Sequence, residues 1–184
     1  MKQLLVYGME QTGSLYLLDR RDDMIAKYND KYYYCAYYKE DNQTFISTSN
    51  KEKVLEGFSV NRSGRYGREI SFEELDDAFE VDYRVIYHSG IPDMPIEWQT
   101  GTEGCDIDGE HIKIFQQGHL PGWDWADRGE CSKTLKNEEV EGGKIIKTYN
   151  RQDGVTLDPP QTIIEETDAE GLLKAQVGFL RNNL

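Results

Sequence analysis

The sequence predicts an α+β fold: an antiparallel or mixed β-sheet with a few short helices and a C-terminal amphipathic helix packed on it. Three observations point there. Short runs rich in Tyr, Val and Ile alternate with a period of two, as residues do on a pleated surface. Two capping boxes, Ser71 with Glu74 and Thr167 with Glu170, mark helix starts. The 184 residues are 38% hydrophobic and 11% aromatic, which is enough to bury a core without disulfide or metal staples. The simplest organisation is one domain, 1–184, with a loop-rich acidic subregion at 100–131.

Taken in order, Gln3 to Tyr7 and Ser14 to Leu18 read as strands joined through the Gly8 to Gly13 turn region. Asp19 to Tyr28 reads as a short helix with Met24, Ile25 and Tyr28 as its apolar stripe. Lys31 to Lys39 is the strongest strand signal, with five tyrosines in seven residues; a strand packed on both faces outweighs a ligand site as their explanation. Thr44 to Thr48 alternates and pairs with it. Asn50 caps a helix running through Val54, Leu55 and Phe58. Arg62, Arg65 and Arg68 alternate with small residues in a flexible loop, the one basic patch, and pair with the acidic stretch that follows.

That stretch, Ser71 to Asp82, holds six carboxylates and no basic residue. Phe72, Leu75 and Phe79 fit one helical stripe, which places Glu73, Asp76, Asp77 and Glu80 in a row on the exposed side. Beyond it, Tyr83 to His88 alternates as a strand, while Pro92 and Pro95 make Ile91 to Trp98 an edge or extended segment. His111 to Phe115, Lys144 to Tyr149 and Thr162 to Glu165 add strands, and Asp153 to Pro160 is a turn-rich connection. Leu172, Leu173, Gln176, Phe179 and Leu180 give the terminal helix the face that docks on the sheet.

Charge is unevenly spread. The net is −13, yet residues 1–70 carry 11 basic against 10 acidic side chains, whereas 71–130 carry 15 acids against Arg84, Lys113 and Arg128. A concentrated negative field argues against direct contact with DNA, RNA or an anionic membrane through this region, and for a basic partner or a cation. Three cysteines without a CxxC pair fit a reducing cytoplasm, and no apolar run is long enough to span a bilayer.

Chemistry-bearing residues gather between Cys105 and Cys131. Asp106, Asp108, Glu110, His111 and His119 offer oxygen and imidazole ligands for Mg²⁺ or Mn²⁺, and Cys105, His111, His119 and Cys131 offer a zinc set, although the spacings lack the close cysteine pairs of structural zinc sites. Trp123 and Trp125, one residue apart, fall on one side of an extended segment and offer an aromatic platform. No nucleophile elbow, zinc-protease helix, phosphate loop or dinucleotide fingerprint occurs.

The leading expectation is a cytoplasmic binding protein without cofactor. Glu73, Asp76, Asp77, Glu80, Trp123 and Trp125 would engage a basic, nucleic-acid-binding enzyme. In composition the chain resembles the small acidic nucleic-acid mimics with which phages and mobile elements block restriction and CRISPR nucleases, and that likeness implies an inhibitor of the anti-restriction or anti-CRISPR type. The alternative is a metal-dependent hydrolase or nuclease, in which a divalent metal held by the Asp106 to His119 cluster activates water.

Overall fold

A computed structural model of the chain describes residues 24–38, 43–48, 50–60, 65–105, 111–125 and 129–183. The expected α+β fold with several helices gives way to a largely β protein, built among the described residues as an antiparallel sheet with one C-terminal α-helix. The strands are β1 (Met24–Tyr28), β2 (Lys31–Tyr38), β3 (Gln43–Thr48), β4 (Ser59–Val60), β5 (Tyr66–Ile70), β6 (Asp77–Ile86), β7 (Glu97–Cys105), β8 (His111–Gln117), β9 (Asp124–Trp125), β10 (Glu130–Lys136), β11 (Gly142–Gln152) and β12 (Val155–Thr167). They are hydrogen-bonded in the order β4-β5-β3-β2-β1-β6-β7-β8-β10-β9, with β11 pairing β12 and β6. The sequence-predicted strands at Gln3 to Tyr7 and Ser14 to Leu18 lie outside the described residues.

Two of the predicted helices, at Asp19 to Tyr28 and Ser71 to Asp82, give way for a common reason: over their described residues a neighbouring strand offers the backbone a better set of partners. Met24–Tyr28 pairs with β2 on one side and β6 on the other, with Ile25 opposite both Tyr34 and Phe79. At Ser71 to Asp82 the helical stripe is satisfied only as far as a 3-10 turn, Phe72–Glu74, where the capping box forms and Phe72 and Leu75 are buried. From Phe79 onward the period changes to two. Phe79, Val81, Tyr83 and Val85 are all buried in β6, and the β-branched and aromatic side chains suit a pleat better than a helix. The Asn50 cap holds, but over a 3-10 turn, Lys51–Glu56, that ends at Gly57 with φ 85°.

The chain separates into two compact units. In the first, the described part of Met1–Val81 with Thr148–Thr162, one sheet face carries Ala26, Tyr33, Cys35, Ile46 and Ile70, which pack with Phe58, Phe72 and Leu75 into a single core. The alternating strand β2 sends Tyr33 and Tyr37 to this face, where Tyr33 stacks on Phe58 at 5.4 Å and Tyr37 on Phe72 at 4.0 Å. The second unit, Asp82–Lys147 with Ile163–Arg181, buries Trp98, Trp123, Ile112, Ile114 and Leu135. Helix α1 (Ala169–Asn183) buries Leu172, Leu173 and Gln176 there, with Leu172 against Gly143. Its cap is Asp168, whose carboxylate accepts from the Gly171 N–H at 2.7 Å, one residue later than the capping box predicts. Among the described residues no helix is long and apolar enough to cross a membrane.

Candidate functional site

Two tight turns meet in the first unit. Asn29 and Asp30 join β1 to β2 with φ of 50° and 60°, and Asp153 and Gly154 join β11 to β12 with φ of 49° and 75°. Positive φ at both central residues is the type I′ geometry, whose twist matches that of the flanking strands, and Asn, Asp and Gly tolerate it best. The Asp76 N–H donates to the Lys27 carbonyl at 2.9 Å, the Gly154 N–H to the Asp76 carbonyl at 2.7 Å, and the Asp153 N–H to Asp77 Oδ1 at 2.9 Å. Asp76 and Asp77 are thereby clamped between the two hairpin tips. The result is a cleft of about 420 Å³ lined by Lys27, Asn29, Asp30, Asp76, Asp77, Asp153 and Gly154.

A buried arginine holds the arrangement from below. Arg151, 7% exposed, donates from Nε to the Leu75 carbonyl at 2.6 Å, from Nη2 to the Glu73 carbonyl at 2.8 Å and from Nη1 to Thr156 Oγ1 at 2.9 Å. Its rigid fork ties the turn that precedes Asp76 to the hairpin that carries Asp153.

The lining is electrostatically one-sided. Four carboxylates face one ammonium, Lys27, which already bonds Asp30 Oδ1 at 3.2 Å. That hydrogen bond and the Asp30 charge hold the Lys27 pKa above its ordinary value. A second cation entering the cleft would meet uncompensated negative charge, attractive to an ammonium or guanidinium.

The sequence-predicted partner residues are redistributed. Asp76 and Asp77 reach the cleft; Glu73 is exposed on the 3-10 turn, where the Ser71 hydroxyl bonds its carboxylate and holds its pKa low; Glu80 is exposed on β6, opposite Met24. The expected helical row of four carboxylates does not form, because the segment is half turn and half strand. Trp123 and Trp125 also part. Trp123 is buried with its ring 5.0 Å from that of Trp98, while Trp125 is 65% exposed on β9, 6.4 Å from the His119 ring.

Of the metal set, Asp106, Asp108 and Glu110, together with the Cys105 side chain, lie outside what is described. His111 stands on β8, His119 is exposed in the connection to β9, and Cys131 is fully buried on β10. Among the described residues no three His, Cys, Asp or Glu side chains converge as metal ligands. Arg62 lies outside the described residues; Arg65 sits over the Tyr34 ring at 4.3 Å, and Arg68 bonds the Glu56 carbonyl and lies over Tyr28.

Asp30 and Asp153 are the site residues that sequence reasoning passed over. Part of their signal is present: Asp153-Gly154 is a hairpin dipeptide, and Asn29-Asp30 joins two residues that tolerate positive φ, each preceded by a segment of strand-forming residues.

A family model described as Uncharacterised conserved protein UCP033725 matches residues 20–152, a span that takes in Lys27, Asp30, Asp76 and Asp77 and stops one residue before Asp153. No curated protein and no solved structure matches the chain.

Proposed function

We propose, for a chain that belongs to the family Uncharacterised conserved protein UCP033725, that it is a binding protein whose acidic cleft receives a basic side chain from the surface of a partner protein. The observation that carries this reading is the convergence of Asp30, Asp76, Asp77 and Asp153 on one cleft, with Lys27 as the sole cation among the described residues that line it. Two rigid turns hold the carboxylates in place before any partner arrives, so little ordering free energy is lost on binding. The spread of net charge through 71–130 adds a longer-range field that speeds encounter with a basic surface. Proteins that bind nucleic acids present such surfaces, and we take an enzyme of that kind as the partner, with inhibition as the consequence of occupying its basic groove. Without the helical carboxylate row, the resemblance to nucleic-acid mimics draws nothing from Ser71 to Asp82 as a helix; support comes from the cleft.

The test compares the parent with a variant carrying Asp30→Asn, Asp76→Asn and Asp153→Asn, since Asn keeps the positive-φ turns. Each is used as bait in nuclease-treated lysate of its source at low and at high salt. Retention of a basic nucleic-acid enzyme by the parent at low salt, with release at high salt and loss in the variant, is the expected result. Equal capture by the triple variant, with its melting temperature unchanged, would sink the reading.

A further inference from the structure

A second cleft in the first unit, of about 580 Å³, is lined by residues of both charges and by two tyrosines. It lies where β2 begins, β3 ends and the Lys51–Glu56 turn crosses, and its volume suits a small organic ligand. Its centre is one carboxylate oxygen. Glu56 Oε1 accepts from Lys53 Nζ at 2.6 Å and from Lys31 Nζ at 3.4 Å, so two ammoniums converge on a single point. Lys53 is 9% exposed, and its ammonium also lies 5.9 Å from the centre of the buried Tyr33 ring. Burial, the largest single influence, lowers the Lys53 pKa, but Glu56, Lys31 and Glu52 together outweigh it and the pKa is raised; the hydrogen bond from Lys53 lowers that of Glu56. Arg68, which does not line the cleft, donates to the Glu56 backbone carbonyl at 3.1 Å and so holds the end of the turn.

Two ammoniums on one carboxylate form a site already shaped for an anion, with Glu56 as its resident occupant and with Asp30 and Glu52 elsewhere on the lining. Glu56 can leave: its side chain is 49% exposed, and the turn that carries it ends at the next residue. A group with two negative charges matches two ammoniums better than a carboxylate does, and a phosphomonoester carries about 1.5 to 2 charges at neutral pH. Beside the ammoniums, Tyr32 lines the cleft with 42% of its surface exposed, a face on which a flat ring can lie. We propose that this cleft binds a phosphomonoester carrying an aromatic ring, of nucleoside-monophosphate class, whose phosphate displaces Glu56 from Lys31 and Lys53. This goes beyond the acidic-cleft reading and does not rest on it.

The experiment is calorimetric titration of the full chain with AMP, adenosine and inorganic phosphate. AMP should bind saturably and at least tenfold more tightly than either fragment. Glu56→Gln removes the competing charge and should tighten AMP severalfold, the reverse of what a merely structural ion pair would give. Lys31→Met, at a half-exposed position that leaves the core untouched, should weaken AMP at least fivefold with the melting temperature within about a degree or two of the parent's. Absence of saturable AMP binding by both the parent and Glu56→Gln overturns the proposal. So does AMP binding no tighter than phosphate, or binding that neither substitution changes.

Discussion

Arg151 Nε donates to the carbonyl oxygen of Leu75 at 2.6 Å, joining residues 76 positions apart in sequence inside the first unit. The bond is buried, and it is one of three from the same guanidinium; the others reach the Glu73 carbonyl and Thr156. Neither Leu75 nor Glu73 can use its carbonyl in a strand ladder, because a 3-10 turn interrupts the chain there. Arg151 therefore supplies the donors that the turn itself lacks.

Replacing Arg151 with Met keeps much of the packed stem and removes the fork. Two carbonyls lose their charged donors, and the expected cost is about 3–5 kcal/mol, read as a lower urea midpoint at unchanged slope. Arg151→Lys should recover only part, since one ammonium cannot reproduce three fixed donors. A midpoint for Arg151→Met within experimental error of the parent would show that water satisfies the turn.

Gly154 tests the hairpin tip separately from the charges it presents. Its φ is 75°, and a Cβ built there would come no closer than 4.0 Å to Arg151, so Gly154→Ala introduces backbone strain without a clash. The expected cost is about 1–2 kcal/mol. Because the Gly154 N–H also holds the Asp76 carbonyl, amide exchange at residue 154 should accelerate in the variant. Unchanged stability and exchange would mean that the turn is not held in the left-handed region.

In the second unit, Trp98 Nε1 donates to the Tyr87 carbonyl at 2.8 Å while its ring lies against Trp123. Trp98→Phe should cost about 1–3 kcal/mol through the orphaned carbonyl and the smaller ring. It should also shift the emission of the remaining buried tryptophan. The exposed Trp125 provides the control: Trp125→Phe should leave stability within about 0.5 kcal/mol of the parent. Equal stability of the Trp98→Phe and Trp125→Phe variants would contradict the burial that separates the two rings.

How far the sequence is legible depends on the range of the interaction that decides each element. The tyrosine run, the Tyr83 to His88 alternation and the terminal helix are set locally and can be read directly. Ser71 to Asp82 cannot, because it carries two periods at once: Phe72 and Leu75 at helical spacing, then Phe79, Val81, Tyr83 and Val85 at spacing two. Pairing with β1 decides between them, and nothing within the segment announces that partner. The site divides in the same way. Asp153-Gly154 is recognisable as a turn, but that it closes on Asp76 follows from a long-range hydrogen bond. Trp123 and Trp125 share a side only if the segment is extended throughout, and it becomes a strand only from Asp124 onward.

The Glu56 cluster predicts a pH dependence whose sign follows from its shifts. The hydrogen bond from Lys53 lowers the Glu56 pKa, so the folded state favours the ionised carboxylate more than the unfolded state does. Its stabilising contribution is then fully present above about pH 4.3, the unperturbed carboxylate value, and is lost as the pH falls through the folded value. Lys53 behaves oppositely. Its raised pKa gives a contribution present below about pH 10.4 and lost as the pH rises through the folded value. Thermal melts of the parent and Glu56→Gln from pH 7 down to pH 3 should therefore converge, with the variant less stable at pH 7 and the gap closing under acid. The midpoint of the closing should lie below that of an isolated glutamate. A constant gap across the range would mean that Glu56 stabilises by packing, and that Lys31 and Lys53 hold it without electrostatic preference for its ionised form.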